Sequence, residues 1–434
     1  MKLTQTPLRT LFNFRDDRAK GRSCMLLTYA CGSIIPMLSG GLFQTSFLTS
    51  SGINIVELGI LTFISPIAKC FSIFCPSILE RFKRRKLILG LSRFLYYTIY
   101  LLGITLIPFF VHDQKLKMAL FIACVFISNI IYALFNGGYI VWHLNFIPDE
   151  VRVDYFSVNT FVSSALGSVA SISASIIADL LSGSAYEQTI IIVFRFIAYG
   201  VGMLDVLALS MPKEFPYKQE KRPRLRDIII KPLSCKPFIM TMLIIAAFNF
   251  FQNLPASALN YYLLNDVGVE FTLTGTINIL YSIFIIILMP FWQKVIRKIG
   301  WVHTFALCEL LYVPTTLLYS FVTKENYLWL FTAVRLTQHI FAVGLNISNA
   351  NLLYVNMPDS DQTNYVSFHE LTLNAAAFFG SMAGTWFIGA FPNASVSLFG
   401  FSFGNVQMLQ WMLALSELTI PILIVMMFRK KAKK

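Results

Sequence analysis

Asn346 to Ser367 reads NISNANLLYVNMPDSDQTNYVS, and Asn136 to Ser157 reads NGGYIVWHLNFIPDEVRVDYFS. Displaced by 210 positions, the two stretches share five residues: Asn136 and Asn346, Pro148 and Pro358, Asp149 and Asp359, Tyr155 and Tyr365, Ser157 and Ser367. Four of the five pairs lie in a short polar loop that follows a long apolar run. An echo at this distance points to two homologous halves. The prolines are expected to end their helices, the aspartates to form turns, and Ser157 and Ser367 to cap the next helix.

Composition agrees with a chain built for lipid. Of 434 residues, 56% are hydrophobic and 13% charged, against about 25% charged in soluble domains. Forty Phe and a mean hydropathy of +0.65 point the same way. A net charge of +13 would suit nucleic acid, but the basic residues fall in clusters between long apolar runs, the pattern of an integral membrane protein. No basic face remains for a nucleic acid, so the lipid bilayer is the expected partner.

Crossing about 30 Å of hydrocarbon takes about 20 helical residues. Twelve runs qualify: spans 1 to 12 cover 24–49, 57–79, 87–110, 118–146, 158–181, 188–211, 237–264, 272–293, 301–322, 327–354, 369–391 and 404–428. They divide the chain into an N-terminal segment 1–23, a six-span half 24–211, a basic linker 212–236, a second six-span half 237–428 and a basic tail 429–434. With both termini cytoplasmic, cytoplasmic segments hold 28 Lys and Arg and external loops hold 3. That bias sets the orientation. Short loops favour a bacterial plasma membrane. Asn393-Ala-Ser395 forms an external glycosylation sequon, relevant only in a eukaryotic source. The N-terminus lacks the short apolar core of a cleaved signal peptide.

The chemistry is negative in outline. The seven cysteines show no metal-ligand spacing and suit helix contacts. There is no G-x-S-x-G, P-loop, H-E-x-x-H or nucleotide fingerprint. An enzyme is not expected, nor any cofactor or metal.

Polar residues inside spans are costly and mark function. Span 10 carries Arg335, His339, Ala342, Asn346 and Asn349 on one helical face. Span 4 repeats this with Asn129, Tyr132, Asn136, Tyr139 and His143. Span 7 adds Asn249, Gln252, Asn253 and Asn260, and span 1 adds Tyr29 and Gln44. A hydrated cavity would require such stripes; interhelical hydrogen bonds are the plain alternative. Lys69 lies near the middle of span 2, too deep to snorkel to water, and must meet an acid or a solute. Arg335 could hold a carboxylate with its planar fork, and His339 could change charge near neutral pH. Spans 1, 4, 7 and 10 have no Asp or Glu in their cores. Together these residues favour an anionic or carboxylated solute. Spans 5 and 11 are rich in Gly, Ala and Ser and read as packing surfaces.

The loop after span 2 reads PSILERFKRRK, Pro76 to Lys86. Here the chain resembles the major facilitator superfamily, whose loop is written G-x-L-x-D-R-x-G-R-R/K. Glu80 stands at the acidic position and Arg81, Arg84 and Arg85 at basic ones, while Pro76 and Lys83 replace the glycines. The equivalent loop of the second half, QKVIRKIGW, keeps Gly300 but places Arg297 at the acidic position. The resemblance implies an all-α integral membrane protein with twelve transmembrane helices in two pseudo-symmetric six-helix halves. It further implies that spans 1, 4, 7 and 10 line the central path, with spans 6, 9 and 12 peripheral. Arg195, Asp205, Glu309 and Glu417, which lie on those outer spans, are then expected in structural ion pairs. Candidate solute-binding residues are Gln44, Lys69, Asn129, Tyr132, Asn136, Asn249, Asn253, Arg335, His339, Asn346 and Asn349. Glu80, Arg81, Arg84, Arg85, Asp149 and Asp359 are candidates for the conformational switch, with topology anchoring as the alternative for the basic loop.

The function implied is secondary transport of a small solute by a monomer, driven by a solute or coupling-ion gradient. A multidrug exporter is disfavoured because span 5 lacks the Gly-Pro signature of many such antiporters. A non-transporting receptor or lipid scramblase on the same scaffold is the competing class.

Overall fold

The computed structural model describes residues 8–13, 16–79, 81–82, 84–144, 146–214, 225–358, 362–398 and 400–428. Ten helices among them are long and apolar enough to cross a membrane. Asp17–Ser39 and Gly41–Ser50, bent by 43°, make a further span together. One of the ten, Phe271–Tyr319, is two helices joined at Gly300, whose φ of 81° breaks the helical path. The twelve expected spans are thereby accounted for.

Several spans are interrupted where the sequence dictates. In span 1, Pro36 lies one turn before the bend, and its carbonyl receives the Gly40 N–H at 2.9 Å. In span 7, Pro255 separates Lys236–Asn253 from Ala256–Tyr261, since proline cannot donate to the preceding turn. Single turns of π-helix follow at Thr98–Gly103 in span 3 and Tyr262–Val267 in span 7. Span 2 passes from α-helix to a 3-10 turn at Lys69–Cys70.

Other boundaries depart from expectation. Spans 5 and 11 begin at Asp149 and Gln362, several residues before their apolar runs. Ser157 and Ser367 therefore lie inside helices and are not caps. Span 4 ends at Leu144, and Pro148 instead sits at the N-terminal boundary of span 5. Polar residues lower hydropathy without ending a helix, which is why the apolar runs underestimate it. The basic stretch 212–236 is not wholly a loop, for Leu225–Ser234 is a helix burying Ile228 and Pro232. An antiparallel hairpin absent from the expectation, β1 (Ser395–Leu398) and β2 (Phe401–Gly404), precedes span 12. Phe403 of β2 packs on Phe321 and Trp411, with centroids 4.8 and 4.9 Å apart.

The chain forms two compact units: Met1–Ile53 with Ala68–Pro223, and Asn54–Ile67 with Arg224–Lys434. In the first, span 1 packs on spans 5 and 6, and span 3 on spans 4 and 6. A core of Met25, Leu89, Trp142, Phe146 and Tyr155 fills one end. In the second, spans 8 and 9 pack on spans 10 and 12, and span 7 on span 11. Its core gathers Phe238, Ile245, Trp292, Phe305 and Ile424. Apolar burial does not drive helix association in lipid, so close backbone approach matters more. A Cβ at Gly380 or Gly384 would land on the carbonyl oxygens of Phe250 and Leu254. Span 11 therefore lies directly on the backbone of span 7. Large apolar side chains face outward, Ile286 being 71% and Trp386 67% exposed, as a lipid-facing surface requires.

Candidate functional site: polar clusters within each unit

In the first unit, span 3 brings Arg93 against Asp205 of span 6, with Nε donating to Oδ2 at 2.8 Å. Tyr97, one turn along, donates to the same oxygen at 2.6 Å. The guanidinium lies over the rings of Tyr97 and Tyr139, 5.7 and 4.5 Å from their centroids. The Tyr139 hydroxyl donates to the Leu89 carbonyl at 2.6 Å and stands 2.9 Å from Ser92 Oγ. Asp205 is fully buried. The ion pair expected of Asp205 thus exists, but its partner is Arg93. Arg195 instead donates to Thr105 Oγ1 at 2.7 Å and the Tyr100 carbonyl at 3.3 Å, over the ring of Phe47.

Beside Arg93 lies a cavity of about 450 Å³ between spans 1, 3, 4 and 5. Thr28, Tyr29, Gly32 and Ser33 line it from span 1 and His143 from span 4. Asn159, Thr160, Ser163 and Ser164 line it from span 5. Within spans 1 and 5 these residues sit four apart in pairs, on one face. His143 Nδ1 lies 3.2 Å from the Tyr29 hydroxyl.

The candidates in this unit scatter around the cavity rather than on it. Asn129 is buried and donates to the Val125 carbonyl one turn back at 2.8 Å. Tyr132 packs on Tyr96 at 5.2 Å. Gln44 accepts from Tyr100 at 3.4 Å. Asn136 is half-buried. Lys69 is half-buried too, and no acid pairs with it among the described residues.

The second unit holds a different arrangement. Arg335 donates to Gln338 Oε1 at 3.1 Å, and the Gln338 carbonyl accepts from Tyr312 at 3.1 Å. His339 packs on Tyr281 with centroids 4.8 Å apart, and Asn346 donates to the Tyr281 hydroxyl at 2.6 Å. Tyr281 of span 8 thus joins two residues of the span 10 face. Asn349 is half-buried. Asn249 and Asn253 each donate to a carbonyl one turn back, Ile245 and Asn249, at 2.8 Å. Glu309 and Glu417 are each 1% exposed, and each keeps a carboxylate oxygen without a hydrogen-bond partner. They interact with one another electrostatically rather than with a cation, so the structural ion pairs expected of them do not form among the described residues.

Of the switch candidates, Glu80 and Asp359 lie outside the described residues, and Asp149 begins span 5. Arg81 and Arg84 are exposed, and Arg85 is buried. The backbone N–H groups of Arg85 and Lys86, at the start of span 3, both donate to Glu214 Oε1.

The sequence of residues 238–431 matches the model of the Major Facilitator Superfamily. Over more than nine-tenths of the chain the fold matches those of solved transporters. Nucleoside transporter NupG shares 11% identity and a TM-score of 0.65, covering 95% of this chain and 99% of its own. The second half of the chain thus matches the superfamily's sequence model, and the chain shares the fold of these solved transporters. A bacterial homologue of the iron transporter ferroportin in an inward-facing state has 13% identity and a TM-score of 0.65, covering 95% and 98%. D-xylose-proton symporter has 11% identity and a TM-score of 0.63, covering 92% and 97%. No curated protein matches the chain.

The superfamily resemblance directs attention to spans 1, 4, 7 and 10, and the cavity wall of span 5 was missed for that reason. Its signal was present in the sequence. Asn159 and Ser163 carry hydroxyl and amide groups where a pure packing face would carry alanine.

Proposed function

We propose that the chain is a secondary transporter that moves a small polar solute through the plasma membrane by alternating access of its two six-span halves. The observation that supports this most is the cavity of the first unit. Helices that cross a bilayer have no packing need for about 450 Å³ of space bordered by hydroxyl-, amide- and imidazole-bearing residues, and polar groups at membrane depth are retained for function. Orientation with both termini cytoplasmic follows from the 28 and 3 basic residues on the two sides and from the preference of Lys and Arg for cytoplasmic loops. The solved relatives are named for nucleosides, iron and D-xylose with a proton, so the fold itself selects no solute.

Lys69 has no acidic partner among the described residues and would suit an anionic solute, but it is not among the described residues that line the cavity. Arg335 is engaged by Gln338, which leaves Lys69 as the stronger argument for that class. The test is uptake by purified protein in liposomes, with imposed ion or solute gradients and a chemically diverse solute panel. Gradient-dependent accumulation of at least one solute is expected; passive behaviour equal to empty liposomes throughout rejects the transporter reading. Unchanged transport of an organic anion by Lys69→Ala and Arg335→Ala would remove the anionic reading alone.

A further inference from the structure

Four side chains around the first-unit cavity each carry a buried polar atom with no hydrogen-bond partner: Thr28 Oγ1, His143 Nε2, Asn159 Oδ1 and Ser163 Oγ. Thr28, His143 and Asn159 are 2%, 5% and 6% exposed. Leaving a buried polar group unsatisfied costs roughly 1–3 kcal/mol, and such groups are ordinarily paired. Four orphans around one cavity are what a site for a hydrogen-bonding guest leaves when described without it.

The walls also define the guest's charge. Arg93 is the sole Lys, Arg, Asp or Glu among the described lining residues, and its charge is already balanced by Asp205 at 2.8 Å. A carboxylate entering here would be desolvated without a free counter-charge, which is expensive at membrane depth. Apart from Gly32, the other described lining residues bring hydroxyl, amide, imidazole and phenol groups, set in a surface that is mostly carbon. Hydroxyls both donate and accept, so they suit a guest whose own groups do the same. The Tyr29 ring offers an apolar face for carbon-bound hydrogens. A volume of about 450 Å³ falls within the range of roughly 300–1,000 Å³ usual for small-ligand sites.

We infer that this cavity is the binding site for an uncharged, hydroxyl-rich solute, held by Thr28, His143, Asn159 and Ser163. The assignment rests on the transporter reading for its biological meaning, but binding can be measured without transport. His143 Nδ1 lies 3.2 Å from the Tyr29 hydroxyl, and its second nitrogen is buried beside the cavity without a partner. Asn159 and Ser163, one turn apart on span 5, grip from the opposite wall. Arg93 lines the cavity with its charge balanced by Asp205 behind it, which leaves the guest neutral.

The test measures thermal stabilisation of the purified full chain by D-glucose, D-ribose and myo-inositol, each set against gluconate and glucuronate. The uncharged compounds are expected to raise the melting temperature at millimolar concentration and the acids not to do so. Thr28→Val, which keeps the volume and removes the hydroxyl, and Ser163→Ala should weaken the stabilising compound by at least tenfold. Stabilisation by the acids alone, no stabilisation by any compound, or stabilisation indifferent to both substitutions would overturn the assignment. Liposome uptake separates the two readings. Binding without uptake of any solute rejects transport and keeps the site. Uptake unaffected by Thr28→Val and Ser163→Ala keeps transport and rejects the site.

Discussion

Arg93 and Asp205 meet at 2.8 Å inside the membrane-spanning part of the first unit, although 112 residues separate them in the chain. Asp205 takes Tyr97 on the same oxygen and leaves Oδ1 without a partner. Removing one member of a buried pair strands the other charge, at a cost of about 3–5 kcal/mol. Arg93→Ala and Asp205→Ala should therefore each lower stability by about that amount. The double variant should lose less than the two combined. Denaturation of the four proteins in matched detergent checks this, and additive losses would show that the pair does not act as a unit.

The glycines of span 11 predict a graded response. Gly384→Ala and Gly380→Ala place a methyl against backbone carbonyl oxygens that cannot move aside as a side-chain tip would. Overpacking of this kind costs about 1–3 kcal/mol. Gly200→Ala, where nothing lies within 4 Å, should leave the melting temperature unchanged or slightly raised, since alanine favours the helix. Equal melting temperatures for all three variants would refute the close approach of spans 7 and 11.

Glu214 predicts a local effect at the start of span 3. Its carboxylate accepts from the backbone of Arg85 and Lys86, where a helix N-terminus presents unsatisfied N–H groups and a partial positive charge. Glu214→Ala should cost about 0.5–2 kcal/mol and raise hydrogen exchange in the first turn after Arg85. Unchanged exchange there would remove the capping role.

Arg22 predicts a change at the N-terminus. It donates to the carbonyls of Leu11 at 2.8 Å, Phe146 at 3.0 Å and Thr10 at 3.1 Å. Arg22→Ala should free the preceding segment for cleavage by trypsin at Arg9 and Arg18, several-fold faster than in the unaltered chain. Equal digestion rates would show that the segment is held without Arg22.

Hydropathy and charge placement are long-range averages, and what they control was legible: the spans and the two halves. The breaks within spans 1 and 7 were not expected, although Pro36 and Pro255 mark them in the sequence. Nor were the polar starts of spans 5 and 11, because Asp149 and Gln362 reduce hydropathy without halting a helix. Side-chain partners were the least legible part. Asp205 was expected in an ion pair, but its match with Arg93 depends on helix rotation, which a periodic pattern leaves free. The polar faces of spans 4 and 10 were found, yet Asn129 bonds within its own helix and Asn346 to a neighbouring tyrosine. The cavity residues on span 5 were hidden by their size, for serine serves close packing and hydrogen bonding equally well.

The repeated tyrosines carry a last consequence. Tyr155 packs on Phe12, which directly follows the short helix Leu8–Leu11. Tyr365 packs on Phe238 at 4.8 Å, and its hydroxyl reaches the Lys231 carbonyl of Leu225–Ser234. Each unit thus has an amphipathic clasp ahead of its first long helix, fastened to the tyrosine at the matching place. In the language of gene duplication, Leu225–Ser234 is the leader of the second copy and not a spacer appended to the first. A chain divided between 215 and 224 would give each piece a clasp of its own. Co-expression of the two fragments is the natural way to ask whether the halves still assemble as separate genes.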